Sequence, residues 1–353
     1  MSHSLDMKSM HDPVDTGAPA FEERSITPLE RVQHFLHRNP AAIPLIVLAL
    51  AVLGFGLGIG PRFYSAFTLT LILQQVAITG IVGAGQTLVI LTAGIDLSVG
   101  AIMVLASVVM GQCAMHYGLP GPLAVLAGLA VGGLCGLVNG LLVAKWRLPP
   151  FIATLGTWSI FGAIVFIYSG NETVRSQDID QVAPILHFFG GSFRIGGAVF
   201  TYGVVLMVLV IGVLWYALNY TAWGRHVYAV GDDQDAALLA GIRVDRVLVS
   251  VYVVTGLICA LAGWTLIGRI GAISPQAGQL ENINAITAVV IGGTSLFGGR
   301  GSILGTLFGA LIVGVFSLGL RLLGTDPQWT QLAVGALIIL AVGVDQWIRK
   351  ISA

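Results

Sequence analysis

The chain has 353 residues, of which 56% are hydrophobic and only 10% charged, with a mean hydropathy of +0.89. Soluble domains carry roughly 25% charged residues, so this composition excludes an ordinary soluble enzyme and makes lipid the solvent for most of the chain. Seventeen Lys and Arg balance seventeen Asp and Glu, so no net field favours nucleic acid.

Residues 1–26 are polar, mixed in charge and without periodicity, and read as a disordered cytoplasmic tail with no signal-peptide pattern. An amphipathic interfacial helix is expected over 27–42. Thr27 and Glu30 form a capping box, Pro28 suits the first helical position, and Leu29, Val32, Phe35 and Leu36 share one face. The remainder, 43–350, is a transmembrane domain. A crossing needs about 20 apolar residues, and the stretches 43–60, 66–91, 101–118, 120–144, 151–169, 199–219, 247–271, 302–323 and 328–348 qualify by that test. A tenth, NINAITAVVIGGTSLFGG over 282–299, is short and glycine-broken, either a full crossing or a re-entrant segment. The expected fold class is an all-α polytopic bundle of about ten membrane helices with both termini cytoplasmic. Ten crossings place every Lys and Arg on the cytoplasmic side except Arg62, Arg175, Arg194, Arg269 and Arg321, which satisfies the positive-inside rule. Residues 170–198 then form a periplasmic segment and 220–246 the longest cytoplasmic loop. The likeness of VILTAGIDLSVGAIMVLAS to VVIGGTSLFGGRGSILGTL reads equally as an internal repeat or as shared membrane composition.

Chemistry-bearing residues are sparse. Cys113, Cys135 and Cys259 sit in apolar runs and the seven histidines lack ligand spacing, so no metal site is expected. Asp96, in TAGIDLSVGA, falls where one helix ends at the cytoplasmic side and the next begins. Asp96 or Ser98 is expected to cap the following helix, with gating or pathway roles as the alternatives. Gln74, Gln75, Gln86 and Asn139 lie in or beside spans, as helix-to-helix glue or as the lining of a polar pathway. Glu281, Asn282 and Asn284 open the short segment from outside, as an outer gate, a seam with a second copy, or a hydrated turn.

In the cytoplasmic loop, GDDQDAALLAG reads as a short helix with its stop. Asp232 or Asp233 caps it, Gly231 precedes it, Asp235, Ala236 and Ala237 lie in its first turns, and Gly241 ends it. Leucines on a helix that lipid does not cover suggest a knob for a cytoplasmic partner, against the plainer reading of a solvated connector. The spacing Asp235-Ala236-Ala237-x-x-x-Gly241 resembles the EAA-xxx-G loop of permeases in ATP-binding-cassette importers, with Asp235 replacing the usual glutamate. GIDLSVG (94–100), NGLLVAK (139–145), PPFIATLG (149–156), GRHVYAVGDD (224–233), AVVIGGTSLFGG (288–299) and GTLFGALIVG (305–314) are similar to the carbohydrate-uptake permeases of the ribose, xylose and fructose type. ILQQVAI, GNETVRSQDI and VDQWIRKISA are most similar to the fructose-importing branch. The resemblance covers about residue 28 to the end. It implies a sugar-import permease of the bacterial cytoplasmic membrane, paired with a second permease copy. It further implies a cytoplasmic ATPase that uses ATP and Mg, and a periplasmic sugar-binding protein. Independently, none of Lys8, Lys145 and Lys350 has P-loop context, so no ATP hydrolysis by that route and no bound cofactor is expected. The alternatives are a same-fold permease for branched-chain amino acids or nucleosides, and an ion-coupled secondary transporter, which the near absence of midplane charges disfavours. A channel filter and an enzyme-like cluster are both lacking in the sequence.

Overall fold

The computed structural model describes residues 42–326 and, beyond them, 328–333, 335, 336, 339, 340 and 343. The expected tail over 1–26, all of the expected surface helix over 27–42 but Ala42, and much of the expected last crossing over 328–348 lie outside the described residues.

Described helices follow the apolar runs: α1 Ala42–Ile59, α2 Ala66–Leu91, α3 Val99–Met115, α4 Gly121–Ala144, α5 Pro150–Ser169, α6 Ser176–Val182, α7 Tyr202–Tyr220, α8 Ala222–Asp232, α9 Gln234–Leu239, α10 Val244–Ile270, α11 Glu281–Ile291 and α12 Ile303–Leu322. Seven of them, α1, α2, α4, α5, α7, α10 and α12, are long and apolar enough to cross a membrane. The chain is thus a polytopic all-α membrane protein. Local chemistry sets several starts. Ser65 accepts a hydrogen bond from Thr68 N (3.2 Å) ahead of α2, and Pro150 opens α5 where its missing N–H costs nothing.

Two helices depart from the expected lengths. α11 has 11 residues, about 16 Å, roughly half of a 30 Å hydrocarbon layer. It therefore does not span alone, and the irregular stretch 271–280 completes that crossing. α3, expected as an ordinary span over 101–118, has 17 residues and begins inside the bundle rather than at its edge. The bond pattern shows this depth: Asp96, three residues before α3, pairs with Gln86, which lies about 7.5 Å back along α2 from its end at Leu91.

The helix ends sort into two groups, as alternating crossings require. At one end, Gly299 N donates to Leu91 O (3.0 Å), Tyr228 to Gly301 O (3.0 Å) and Trp223 to Ser250 (2.8 Å). At the other, Val174 bridges Ile273, Trp264 donates to Ile185 O (3.0 Å), and Val199 N donates to Thr70 (2.8 Å). By the positive-inside assignment the first end is cytoplasmic and the second external. The two look-alike stretches prove to be helix–loop–helix turns, α2 to α3 and α11 to α12, that touch at the cytoplasmic end.

The external segment contains a feature the all-helix expectation lacked. β1 Ser192–Ile195 pairs antiparallel with β2 Ala198–Thr201, Ser192 opposite Thr201 and Ile195 opposite Ala198. Gly196 and Gly197 turn the hairpin with φ of 57° and 83°, values that the primed two-residue turn demands and L side chains resist. That Gly-Gly pair between Phe193-Arg194-Ile195 and Val199-Phe200 was the available signal.

The core sits around α2, α3, α10 and α12, whose faces are largely buried. α4 packs closely on α10 through glycine: a Cβ at Gly132 would stand 2.5 Å from the Gly256 carbonyl oxygen. Helices without a hydrophobic drive between them gain their cohesion from such backbone proximity. α1 and α5 lie at the periphery, with Leu57, Ile160 and Ile167 presented outward.

Candidate functional site: a buried junction and a cytoplasmic knob

The stretch 92–98 leaves α2 at Leu91, turns at Ala93 (φ 60°) and climbs back into the bundle to start α3. Every backbone group that leaves a helix inside a membrane protein needs a protein partner. Here neighbours supply several of them. The Gln86 amide, in the orientation its surroundings require, donates to Asp96 O (3.1 Å) and accepts from Asp96 N (3.2 Å). Thr154 Oγ1 bonds Ile95 O (3.0 Å) and Leu97 N (3.1 Å), and Asn282 Nδ2 donates to Leu97 O (3.4 Å).

Asp96 is 1% exposed. Its Oδ1 accepts from Ser98 N (2.7 Å) and Ser98 Oγ (2.6 Å), and its Oδ2 from Asn139 Nδ2 (3.4 Å), which also donates to Ser98 Oγ (2.8 Å). A carboxylate in so apolar a place is costly unless hydrogen-bonded. The start of α3, three residues on, and the nearby start of α11 both offer the positive ends of helix dipoles. This corrects the expected placement in two respects. Asp96 lies inside the bundle, not at its cytoplasmic boundary. It bonds the N–H of the N-cap residue Ser98 rather than the free N–H groups of the helix, and Ser98 itself makes no side-chain cap.

The structure therefore brings together five of the expected residues, Gln86, Asp96, Ser98, Asn139 and Asn282, and separates two. Gln75 accepts from Arg269 Nη2 (2.6 Å) in the outer half. Asn284 donates to Glu281 Oε1 (3.5 Å), whose other oxygen accepts from Thr79 (3.0 Å). Thr154, Thr79 and Arg269 went unread. Threonine in an apolar run gives little signal, since its hydroxyl often bonds its own helix; Arg269 looked like an ordinary external end of a span. A cavity of about 90 Å³ beside Arg269, lined also by Gln74, Thr201 and Thr265, has room for several waters. Among the described residues no group of three His, Cys, Asp or Glu is placed to hold a metal.

On the cytoplasmic side, α8 runs through Gly231 to Asp232, so these two belong to the helix before the break and not to the knob. Asp233 is the cap: its Oδ1 accepts from Asp235 N (2.9 Å) and Ala236 N (3.0 Å). α9 carries Asp235, Ala236 and Ala237, and Gly241, with φ of 81°, ends it in the left-handed conformation. Ala237 faces inward at 4% exposure, whereas Leu238 and Leu239 stand out at 62% and 89%. The helix before the knob, α8, is closely seated. Gly231 lies against the Leu91 carbonyl and the Gly299 amide so closely that any Cβ would collide with the former and stand 2.7 Å from the latter. Burial pushes the pKa of Tyr228 up, keeping its hydroxyl a donor to Gly301 O. One helix thus grips both cytoplasmic turns at once: the end of α2 that leads to Asp96, and the α11–α12 turn.

A family model described as branched-chain amino acid transport system / permease component matches residues 68–342. The chain is 68% identical over 338 residues to the fructose import permease protein of Rhizobium meliloti, covering 96% of this chain and 94% of that one. It is 40% identical to the ribose import permease protein of Bacillus subtilis, over 84% of this chain and 88% of the relative. With the ribose import permease protein of Escherichia coli K12 the identity is 37%, over 88% and 94%. No solved structure matches the chain.

Proposed function

The chain belongs to the branched-chain amino acid transport system / permease component family, and we propose that within it this protein is the membrane subunit of an ATP-driven importer that carries fructose across the cytoplasmic membrane. The observation that carries the substrate is the 68% identity along nearly the whole of both chains, far above that to the ribose permeases. The family description also names branched-chain amino acids, and that remains the second reading; a relative of such identity whose printed name is a fructose permease favours the sugar.

The chain is a transport subunit, and energy comes from a partner ATPase that uses ATP and Mg; the absence of any P-loop lysine supports this. A periplasmic sugar-binding protein supplies the substrate, and a second copy of the chain completes the passage. The role of this chain is mechanical. Leu238 and Leu239 enter a groove of the ATPase, and closure of the ATPases around ATP moves α8 and α9. Because α8 is wedged against Leu91 and Gly299, that movement reaches both turns, and through 92–98 it reaches the Asp96–Ser98–Asn139 cluster in the bundle. The cluster, with Gln86 and Asn282, then acts as a latch that carries α3 and α11 together between outward- and inward-open states. Differential contact of the ATPase with the two states supplies the driving free energy.

Membrane vesicles holding the complete transporter should accumulate labelled fructose only with ATP inside the ATPase compartment. Leu239→Asp, at a site with almost no intramolecular contact to lose, should cut uptake and ATPase co-purification about tenfold, like an interface anchor, while membrane abundance is unchanged. Concentrative uptake by the purified chain alone in liposomes, or full coupling in Leu239→Asp, would end this reading.

A further inference from the structure

The second break differs from the first in what it leaves uncovered. Glu281, at the start of α11, is bonded to Thr79, the midpoint of the 26-residue α2, so the irregular backbone of 275–280 reaches about 19 Å from either end of that helix. Between that depth and the external end, where Ile273 bridges Val174, Gln276, Gln279 and Leu280 are exposed, and at the start of α11 Ile283 is exposed and Asn284 partly so. Beside them Arg269 is exposed, makes no ion pair among the described residues, and is drawn inward by Gln75, which lies about 14 Å from the outer end of α2. An arginine facing lipid would turn its charge outward to the headgroups; this one is tied in the opposite sense. Lipid cannot solvate irregular backbone, and non-helical chain at this depth occurs only against protein or against water.

We propose that this face, with Gln75, Arg269, Gln276, Gln279 and Asn284 as its polar groups, lines the water-filled passage and that Arg269 hydrogen-bonds the passing solute. The solute class is a neutral polyhydroxylated molecule, which rests on the sugar reading above. One guanidinium donor is engaged by Gln75 and the others have no acceptor within the described chain, so they are free for hydroxyl oxygens. Gln276, Gln279 and Asn284 supply a donor and an acceptor each, matching hydroxyls that do both. Leu280 and Ile283, half-exposed between them, give the apolar surface on which a sugar ring face slides.

The test uses the complete transporter in membranes during turnover, with single cysteines introduced as Gln276→Cys and Asn284→Cys and a charged, membrane-impermeant thiosulfonate as probe. The native Cys113, Cys135 and Cys259 are buried, and Leu209→Cys, on the outward face of α7, serves as a lipid-facing control. Thiolates form only where water reaches, so positions 276 and 284 should label at least about tenfold faster than 209, and fructose should slow them. Arg269→Leu should lower fructose uptake strongly and Arg269→Lys partly restore it, with equal amounts of transporter in the membrane. Labelling at 276 and 284 no faster than at 209, in variants that still transport, overturns the assignment of the face. Fast labelling that fructose leaves unchanged in actively importing membranes overturns the solute contact. Vesicles that import no fructose while 276 and 284 label quickly would instead sink the substrate reading and leave the passage standing.

Discussion

The two breaks in the bundle make an instructive pair. At 92–98 the chain leaves helix and finds most of its partners inside its own fold: Gln86, Thr154, Asn139 and Asn282 close around it and Asp96 is 1% exposed. At 271–280 it leaves helix again, entering from the external end and reaching the middle of α2, yet Gln276, Leu280 and the neighbouring Arg269 remain open. The same local device thus serves two ends. A saturated break is a rigid joint, because each displaced bond has a cost. An unsaturated one is a surface, because its groups keep their capacity for something that comes and goes.

The largest test of this contrast lies where the joint meets the cytoplasmic helix. Gly231→Val drives side chain into the Leu91 carbonyl, and no folded protein should accumulate in the membrane; normal abundance by immunoblot would show that α8 is not wedged there. Next, Asp96→Ala strands the Ser98 N–H and the Ser98 hydroxyl proton, while Asn139 Nδ2 keeps its bond to Ser98 Oγ. The substitution should cost about 3 kcal/mol, read as a lower Tm in detergent. Asp96→Asn, which retains an oxygen for Ser98, should lose less than half as much. A neutral Asp96→Ala would break the idea of a saturated joint. Tyr228→Phe removes one bond to Gly301 and should cost about 1 kcal/mol by the same measurement. Smallest in stability is Gln276→Ala at the open break, expected within about 0.5 kcal/mol of the parent. If it destabilises as much as Asp96→Ala, the two breaks are alike and the contrast fails.

Much of this architecture was legible beforehand, for a clear reason. Apolar runs of the length of 66–91 or 247–271 have no alternative in lipid to a helix, so their existence and near-boundaries follow from hydropathy. The short helix was legible as well, since an aspartate cap, Ala-Ala-Leu-Leu and a terminal glycine encode it locally; of the two aspartates that could cap it, the structure uses Asp233, because Asp232 closes α8. Depth was not legible. Nothing in TAGIDLSVG says that Asp96 is lifted inside by Gln86, a partner on the preceding helix whose amide looks like any membrane glutamine. Nor does GRIGAISPQAG say that Arg269 turns inward to Gln75. The hairpin at 192–201 was encoded in Gly196-Gly197 and was overlooked beneath the stronger helical pattern.

By itself, then, the sequence determined the solvent of the chain, most of its membrane helices, and the short helix that presents Leu238 and Leu239 outward. These depend on composition and on contacts between near neighbours. Which break is sealed, which is open, and how α8 grips both cytoplasmic turns were decided only by tertiary structure. Hydrogen bonds between Thr79 and Glu281 or Arg269 and Gln75 join residues about two hundred positions apart, and no local pattern carries the free energy of such a pair.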